Sequence, residues 1–259
     1  MSAQAQSGWL GQKVTALWKA LRFFASAFYW TFRPPFFGRE MIRMMRILGV
    51  RCFLPVICVV GPAGAVISVQ GLNILQQFGT EQPLSSLLAV AMIREISPVL
   101  ASVMVAAQAG SSVAAELGTM RVKEEIDALE VMSVNPIQRL VVPRFLAGLL
   151  VTPMLNALAS GVGILGGWFT AVAVKGADPG VFRAYLFALV RGTDLLFSYI
   201  KTGVFGLIVM MIACYYGYTV TGGAAGVGKA ANDAVVHSIL LVLIANYLMT
   251  TFLFGSGLA

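Results

Sequence analysis

Arg94 and Glu95 stand side by side in a stretch, residues 82–115, that carries no other charge. If that stretch crosses a bilayer, each charge costs at least ~2.5–3.5 kcal/mol on insertion scales, so both must face protein or water. Neighbouring residues of a helix point about 100° apart, so the two need not pair with each other. Pro98 has no N–H, which leaves the Arg94 carbonyl without its usual helical partner. The place is therefore polar in side chain and backbone alike. Two readings remain open: a gate or headgroup contact, or an ion pair to another helix that only fixes packing.

Other residue types that carry chemistry are scattered. His237 is alone, and Cys52, Cys58 and Cys214 have no paired spacing, so no metal site and no disulfide framework is expected. No Ser/His/Asp or Cys/His arrangement can be nominated, and the carboxylates are too dispersed for a catalytic pair. Neither an enzyme nor a cofactor is expected. Gly223-Ala-Ala-Gly-Val-Gly-Lys-Ala230 nearly matches a phosphate loop, but position 230 lacks the hydroxyl that a magnesium ion needs and no strand precedes it. A flexible turn is expected there.

The elements that must hold Arg94 and Glu95 follow from composition. Of 259 residues, 58% are hydrophobic and 11% charged, against about 25% charged in soluble domains. Too little polar material exists to cover a water-facing surface. Runs without Asp, Glu, Lys or Arg extend over Cys52–Thr80, Ile96–Ala115, Phe145–Val174, Thr202–Gly228 and Ala234–Ala259. A spanning helix needs roughly 20 apolar residues. The second run, extended back through Leu84–Ile93, takes in Arg94 and Glu95; the last is trimmed by the polar Asn232–Ser238 stretch. The expectation is an all-α, polytopic membrane bundle of about five spanning helices. Pro55 and Pro62, with Gly61 and Gly64, predict a kinked or broken first span.

Residues 1–40 form a separate N-terminal unit. Trp9–Phe28 reads as an amphipathic helix on the membrane surface, with a cytosolic helix packed on a partner as the alternative; apolar residues fall at three- and four-residue steps and Lys13, Lys19 and Arg22 are polar. Arg33-Pro34-Pro35 ends it. Residues 41–259 form the membrane domain. Eight Lys and Arg residues from Lys13 to Arg51 precede the first apolar run, placing the N-terminus in the cytoplasm. The connection from Lys175 to Lys201 counts against that orientation, since four cations then lie outside. Basic residues that flank apolar runs do not form a nucleic-acid patch, and no nucleic-acid partner is expected.

Between the second and third spans, about residues 119–134, a cytoplasmic helix is predicted. Val122, Ile126 and Leu129 form an apolar stripe, and Arg121–Glu125 and Lys123–Asp127 lie four apart. Two basic and four acidic residues between Arg121 and Ser133 give −2, which suits a groove on a soluble protein better than an anionic leaflet. Behind Arg94, the small residues Ala106, Gly110, Ala114 and Ala107, Ser111, Ala115 serve either self-association or internal packing.

The block from Ala115 through Glu-Leu-Gly-Thr-Met-Arg-Val-Lys-Glu-Glu-Ile-Asp-Ala-Leu-Glu-Val-Met-Ser-Val-Asn-Pro to Ile137 resembles the signature of the MlaE/YrbE permease family. Arg94-Glu-Ile-Ser-Pro98, Val69-Gln-Gly71, Val141-Val-Pro-Arg144 and Cys214-Tyr-Tyr-Gly-Tyr218 resemble further family blocks, in order. The likeness runs from about Phe36 to the C-terminus. Two positions depart from it: Gln108, where the family is often basic, and Asn246, where it is frequently acidic. The resemblance implies the permease subunit of an ATP-binding-cassette transporter of phospholipids in a bacterial inner membrane. It implies a homodimer, a separate cytoplasmic ATPase, an MCE-domain lipid-binding partner and, in some systems, a STAS-domain protein. By the same resemblance Arg121, Glu124, Glu125, Asp127, Leu129 and Glu130 couple to the ATPase. Gln70, Leu75, Phe78 and Tyr247 line a lipid cavity that Arg94 and Glu95 stabilise or gate. An ion-coupled secondary transporter and a non-transporting scaffold are the rivals. The first predicts paired repeats and more intramembrane carboxylates than are seen.

Overall fold

The structure is a computed structural model that describes residues 18–34, 37–80 and 82–255. Every regular element among them is helical. Residues 18–31 form α1; the earlier part of the expected amphipathic helix, residues 9–17, lies outside the described residues. Five long helices follow, each apolar and long enough to cross a membrane: α2 (Gly38–Gln77), α3 (Leu84–Val122), α5 (Ile137–Val174), α7 (Gly192–Tyr218) and α8 (Gly223–Gly255). Short helices α4 (Glu125–Val131) and α6 (Pro179–Tyr185) sit in the connections α3–α5 and α5–α7. Alternating crossings put the start of α2 and α4 on one side, and α6 on the other.

The first span is neither broken nor confined to its apolar run. α2 is continuous for 40 residues with Pro55 and Pro62 inside it, about 60 Å at 1.5 Å per residue against ~30 Å of hydrocarbon. Its basic first turns therefore stand at or beyond the headgroups. α2 runs parallel to α5 in near-backbone contact. A Cβ built on Gly64 would lie 1.9 Å from the Gly163 carbonyl oxygen, and one on Gly166 2.3 Å from that of Gly61. Glycines here permit an approach that any side chain would block.

α3 changes its winding twice, with π-helical turns at Met92–Ile96 and Ala106–Gly110. Its small residues are used for internal packing. Ala106, Ala109, Gly110 and Ala114 are buried, a Cβ on Gly110 would sit 3.3 Å from Val209, and one on Gly217 would sit 2.7 Å from the Ala114 carbonyl.

Two predicted boundaries move. The fourth span begins at Gly192 and ends at Tyr218, ten residues earlier than the run Thr202–Gly228. Charges within it, Asp194 and Lys201, hid its first turns. The segment Gly223–Ala230, expected as a flexible turn, is the helical start of α8. The chain reverses at Gly222 and Gly223 instead, with φ of 89° and 67°. Left-handed backbone of this kind falls to glycine because it has no Cβ.

Candidate functional site

The polar residues of α3 meet partners on α7 and α8. Arg94 forms an ion pair with Asp194 at 2.9 Å, and Glu95 one with Lys201 at 3.0 Å. Asp194 and Lys201 are seven residues apart, two helical turns, so one face of α7 presents both. They are 1% and 0% exposed, which only paired charges tolerate. Asp194 also accepts from the Arg191 backbone N–H at 3.0 Å, so it closes the first turn of α7 as well.

Local backbone chemistry supplies the rest. Pro98 withholds an N–H from the Arg94 carbonyl, and the Lys201 ammonium donates to that oxygen at 3.0 Å. The same ammonium donates to the Thr250 hydroxyl at 2.7 Å, so with Glu95 its three protons have acceptors. Glu95 accepts in turn from Thr250 at 2.8 Å and from the Asn246 side-chain amide at 3.2 Å. Both charges lie in the π-helical turn Met92–Ile96, and such bulges are common at functional sites. The result is two cations and two anions, neutral overall, tying α3, α7 and α8 together. Asn246, singled out as a departure from the family pattern, is a member of this set.

α4 is a separate short rod rather than the end of one helix over 119–134. α3 stops at Val122, Glu124 adopts left-handed backbone (φ 60°), and Ser133 (φ 59°) closes the other end. The reversal at Glu124 changes the expected charge pairing: Arg121 pairs with Asp127, six residues on, instead of Glu125. The Arg121 guanidinium also lies over the ring of Tyr218, whose hydroxyl donates to Glu130 at 3.3 Å. The apolar stripe faces inward. Ile126 is fully buried and Leu129 packs on the core, while Val122 stays exposed. The outward face is Glu125, Ala128, Glu130, Val131 and Met132; the last two were not foreseen, because periodicity alone does not tell an inward stripe from an outward one.

The residues expected to line a cavity are not gathered within one chain. Phe78 and Tyr247 are 76% and 71% exposed, Gln70 is exposed on α2, and Leu75 is half-buried against the α2–α3–α5 core. α2 packs chiefly on α5, and α8 on α7 and α3. Sequence reasoning also missed Arg144, which is buried, pairs with Glu116 at 3.0 Å and donates to the Leu140 carbonyl at 2.7 Å. His237 bonds the Asp233 carbonyl at 2.7 Å and lies on the Tyr216 ring, a structural use.

The model of the Permease MlaE family matches residues 41–252. The chain belongs to the MlaE permease family. A relative from Rickettsia felis named as a probable ABC transporter permease protein is 36% identical over 222 residues, 86% of each chain. The Haemophilus influenzae intermembrane phospholipid transport system permease protein MlaE is 34% identical over 218 residues, 84% of each. The chloroplastic TRIGALACTOSYLDIACYLGLYCEROL 1 protein of Arabidopsis thaliana is 36% identical over 195 residues, 75% of this chain and 56% of that one. The matched span of the family contains α4 and every member of the charged set. In a permease of this family, then, a neutral but fully polar junction holds three of five spans together.

Proposed function

We propose that the chain is the permease subunit of an ABC-type phospholipid transporter in a bacterial inner membrane, N-terminus cytoplasmic, acting as a homodimer. A separate cytoplasmic ATPase seats on α4, an MCE-domain protein exchanges lipid on the far side, and a STAS-domain protein accompanies the ATPase in some assemblies. The observation that carries this reading is the attachment of α4: an acidic rod set apart by two left-handed residues, yet tied through Arg121, Glu130 and Tyr218 to the end of α7. A push on α4 reaches the same helix that carries Asp194 and Lys201. α2 of one protomer and α8 of its partner then enclose the lipid, with Gln70, Leu75, Phe78 and Tyr247 on the wall. Arg94 and Glu95 act by exchanging hydrogen-bond partners as the spans shift. Differential binding of lipid in the two states gives direction. Placing Asp194 and Lys201 inside the bundle leaves Lys175, Arg183 and Arg191 beyond the spans, which weakens the charge argument against this orientation.

Charge reversal at Glu125 and Glu130 with the membrane fold intact tests it. The ATPase should no longer co-purify, and lipid transfer in reconstituted vesicles should stop. Unchanged co-purification removes the docking claim. Leu75→Lys or Phe78→Lys should abolish crosslinking of lipid to the cavity wall; equal crosslinking puts the lipid elsewhere.

A further inference from the structure

Away from the charged set, α2 and α5 part on an exposed face to leave a groove of about 500 Å³, whose lining includes Met45, Arg46, Gly49 and Phe53 of α2 and Met154 and Leu158 of α5. That is ligand-sized, since small-molecule sites run ~300–1,000 Å³. Arg46 is the only charged residue in the lining. Because α2 and α5 are parallel, it lies in the part of the groove toward the N-terminal side, one turn past Ile42. Side chains of a helix lean toward its N-terminus, so the guanidinium points out toward the headgroups while the groove rises into hydrocarbon. None of the ion pairs among the described residues includes Arg46; its neighbour Arg43 is the one that meets Glu40, at 3.7 Å.

We infer that this groove binds one anionic glycerophospholipid of the leaflet on the N-terminal side, its phosphate on Arg46 and an acyl chain along Gly49, Phe53, Met154 and Leu158. Two features select the lipid over an apolar partner helix. Helices meet in membranes on small residues that repeat every fourth position, and here the floor offers only Gly49 among Met45, Phe53, Met154 and Leu158. A flexible chain fits between such side chains, and methionines adapt to it. An apolar partner helix offers Arg46 no anion of its own, whereas a lipid seated in the groove brings a phosphate that accepts two parallel hydrogen bonds from it. The site is separate from the cavity proposed above and does not depend on transport.

The test uses the full chain with the subunits it purifies with, in phosphatidylcholine vesicles carrying phosphatidylglycerol with a diazirine on one acyl chain. Label should concentrate on Met154 and Leu158, above the level on the exposed residues Leu196 and Ile200 of α7. Arg46→Gln should cut it about fivefold, the worth of one interfacial cation, and Arg46→Lys should restore it. Gly49→Phe should abolish it, since a Cβ there meets nothing nearer than Val151 at 4.0 Å and the ring fills the groove without disturbing the fold. Any of three results overturns the site: label indifferent to Arg46→Gln and Gly49→Phe, equal label from a diazirine phosphatidylcholine, or no label because an apolar helix covers the groove.

Discussion

The α2–α5 contact and the α3–α7–α8 contact hold the same bundle by different means. The first brings backbones together across Gly61, Gly64, Gly163 and Gly166, with nothing to exchange and no room to slide. The second also has a close backbone approach, of Gly217 to the Ala114 carbonyl, but adds a set of side-chain hydrogen bonds and ion pairs around Glu95 and Lys201. Close-packed apolar surfaces are bistable at best and resist small displacements. A set of polar groups can trade partners, provided that none is left bare. The difference teaches where a permease of this build keeps its shape and where it changes it: α2–α5 is the fixed half and α3–α7–α8, with α4 hung beneath it, the working half.

The largest effect should come from the fixed half. Gly64→Leu drives a side chain into the Gly163 backbone, which cannot move aside, so more than about 4 kcal/mol of stability should be lost. Unfolding in nanodiscs should report this, while Gly161→Ala, where a Cβ meets nothing within 4 Å, should lose nothing and gain up to about 1 kcal/mol. If both variants unfold alike, glycine packing is not what fixes α2 on α5. Next comes Lys201→Met. It leaves the half-buried Glu95 without its counter-ion and the Arg94 carbonyl without its donor, at about 2–3 kcal/mol. Adding Glu95→Gln removes the stranded charge, so the double variant should recover most of that loss yet transport no lipid. A double variant as active as the parent would reduce the set to a structural ion pair.

Asn246→Leu sharpens the comparison further. It deletes one hydrogen bond to a charged acceptor, worth about 1.5–3 kcal/mol. Hydrogen exchange should speed up along α8 and leave the α2–α5 amides as protected as before. Uniform acceleration over all five spans would mean that the bundle opens as one unit, with no fixed and working halves.

The fixed half and the working half were unequally legible in the sequence. Charge-free runs are the signature of spans, and α2, α3 and α5 were found that way. The same criterion misplaced α7 by ten residues, because it discards the charges that a bundle buries in pairs: Asp194 and Lys201 were assigned to a connection. Arg94 and Glu95 could be recognised as costly, but their partners lie about 100 residues away, beyond any local pattern. Family resemblance marked Asn246 as unusual and could not say that Glu95 is what it touches. The α4 region read as acidic and helical, as it is; the left-handed residue at Glu124 carries no signal, since neither glycine nor asparagine stands there.

That residue offers the smallest and most local of the tests. Glu124 holds φ 60° with a full side chain, a conformation that costs an L-residue roughly 1–2 kcal/mol. Glycine adopts it freely but gives up more entropy on folding, roughly 0.5–1 kcal/mol. Glu124→Gly should therefore stabilise the chain by less than about 1 kcal/mol, while Glu124→Val, β-branched and poorly suited to positive φ, should destabilise it by more. The sign for stability follows from backbone strain set against chain entropy, but the consequence for coupling does not. If α4 works as a handle, a glycine at its root makes the joint to α3 compliant, and ATPase turnover should exceed lipid transfer in the reconstituted complex. Equal ratios in parent and variant would show that force passes through Tyr218 and the foot of α7 rather than through the turn at Glu124, leaving the working half intact and moving its point of attachment.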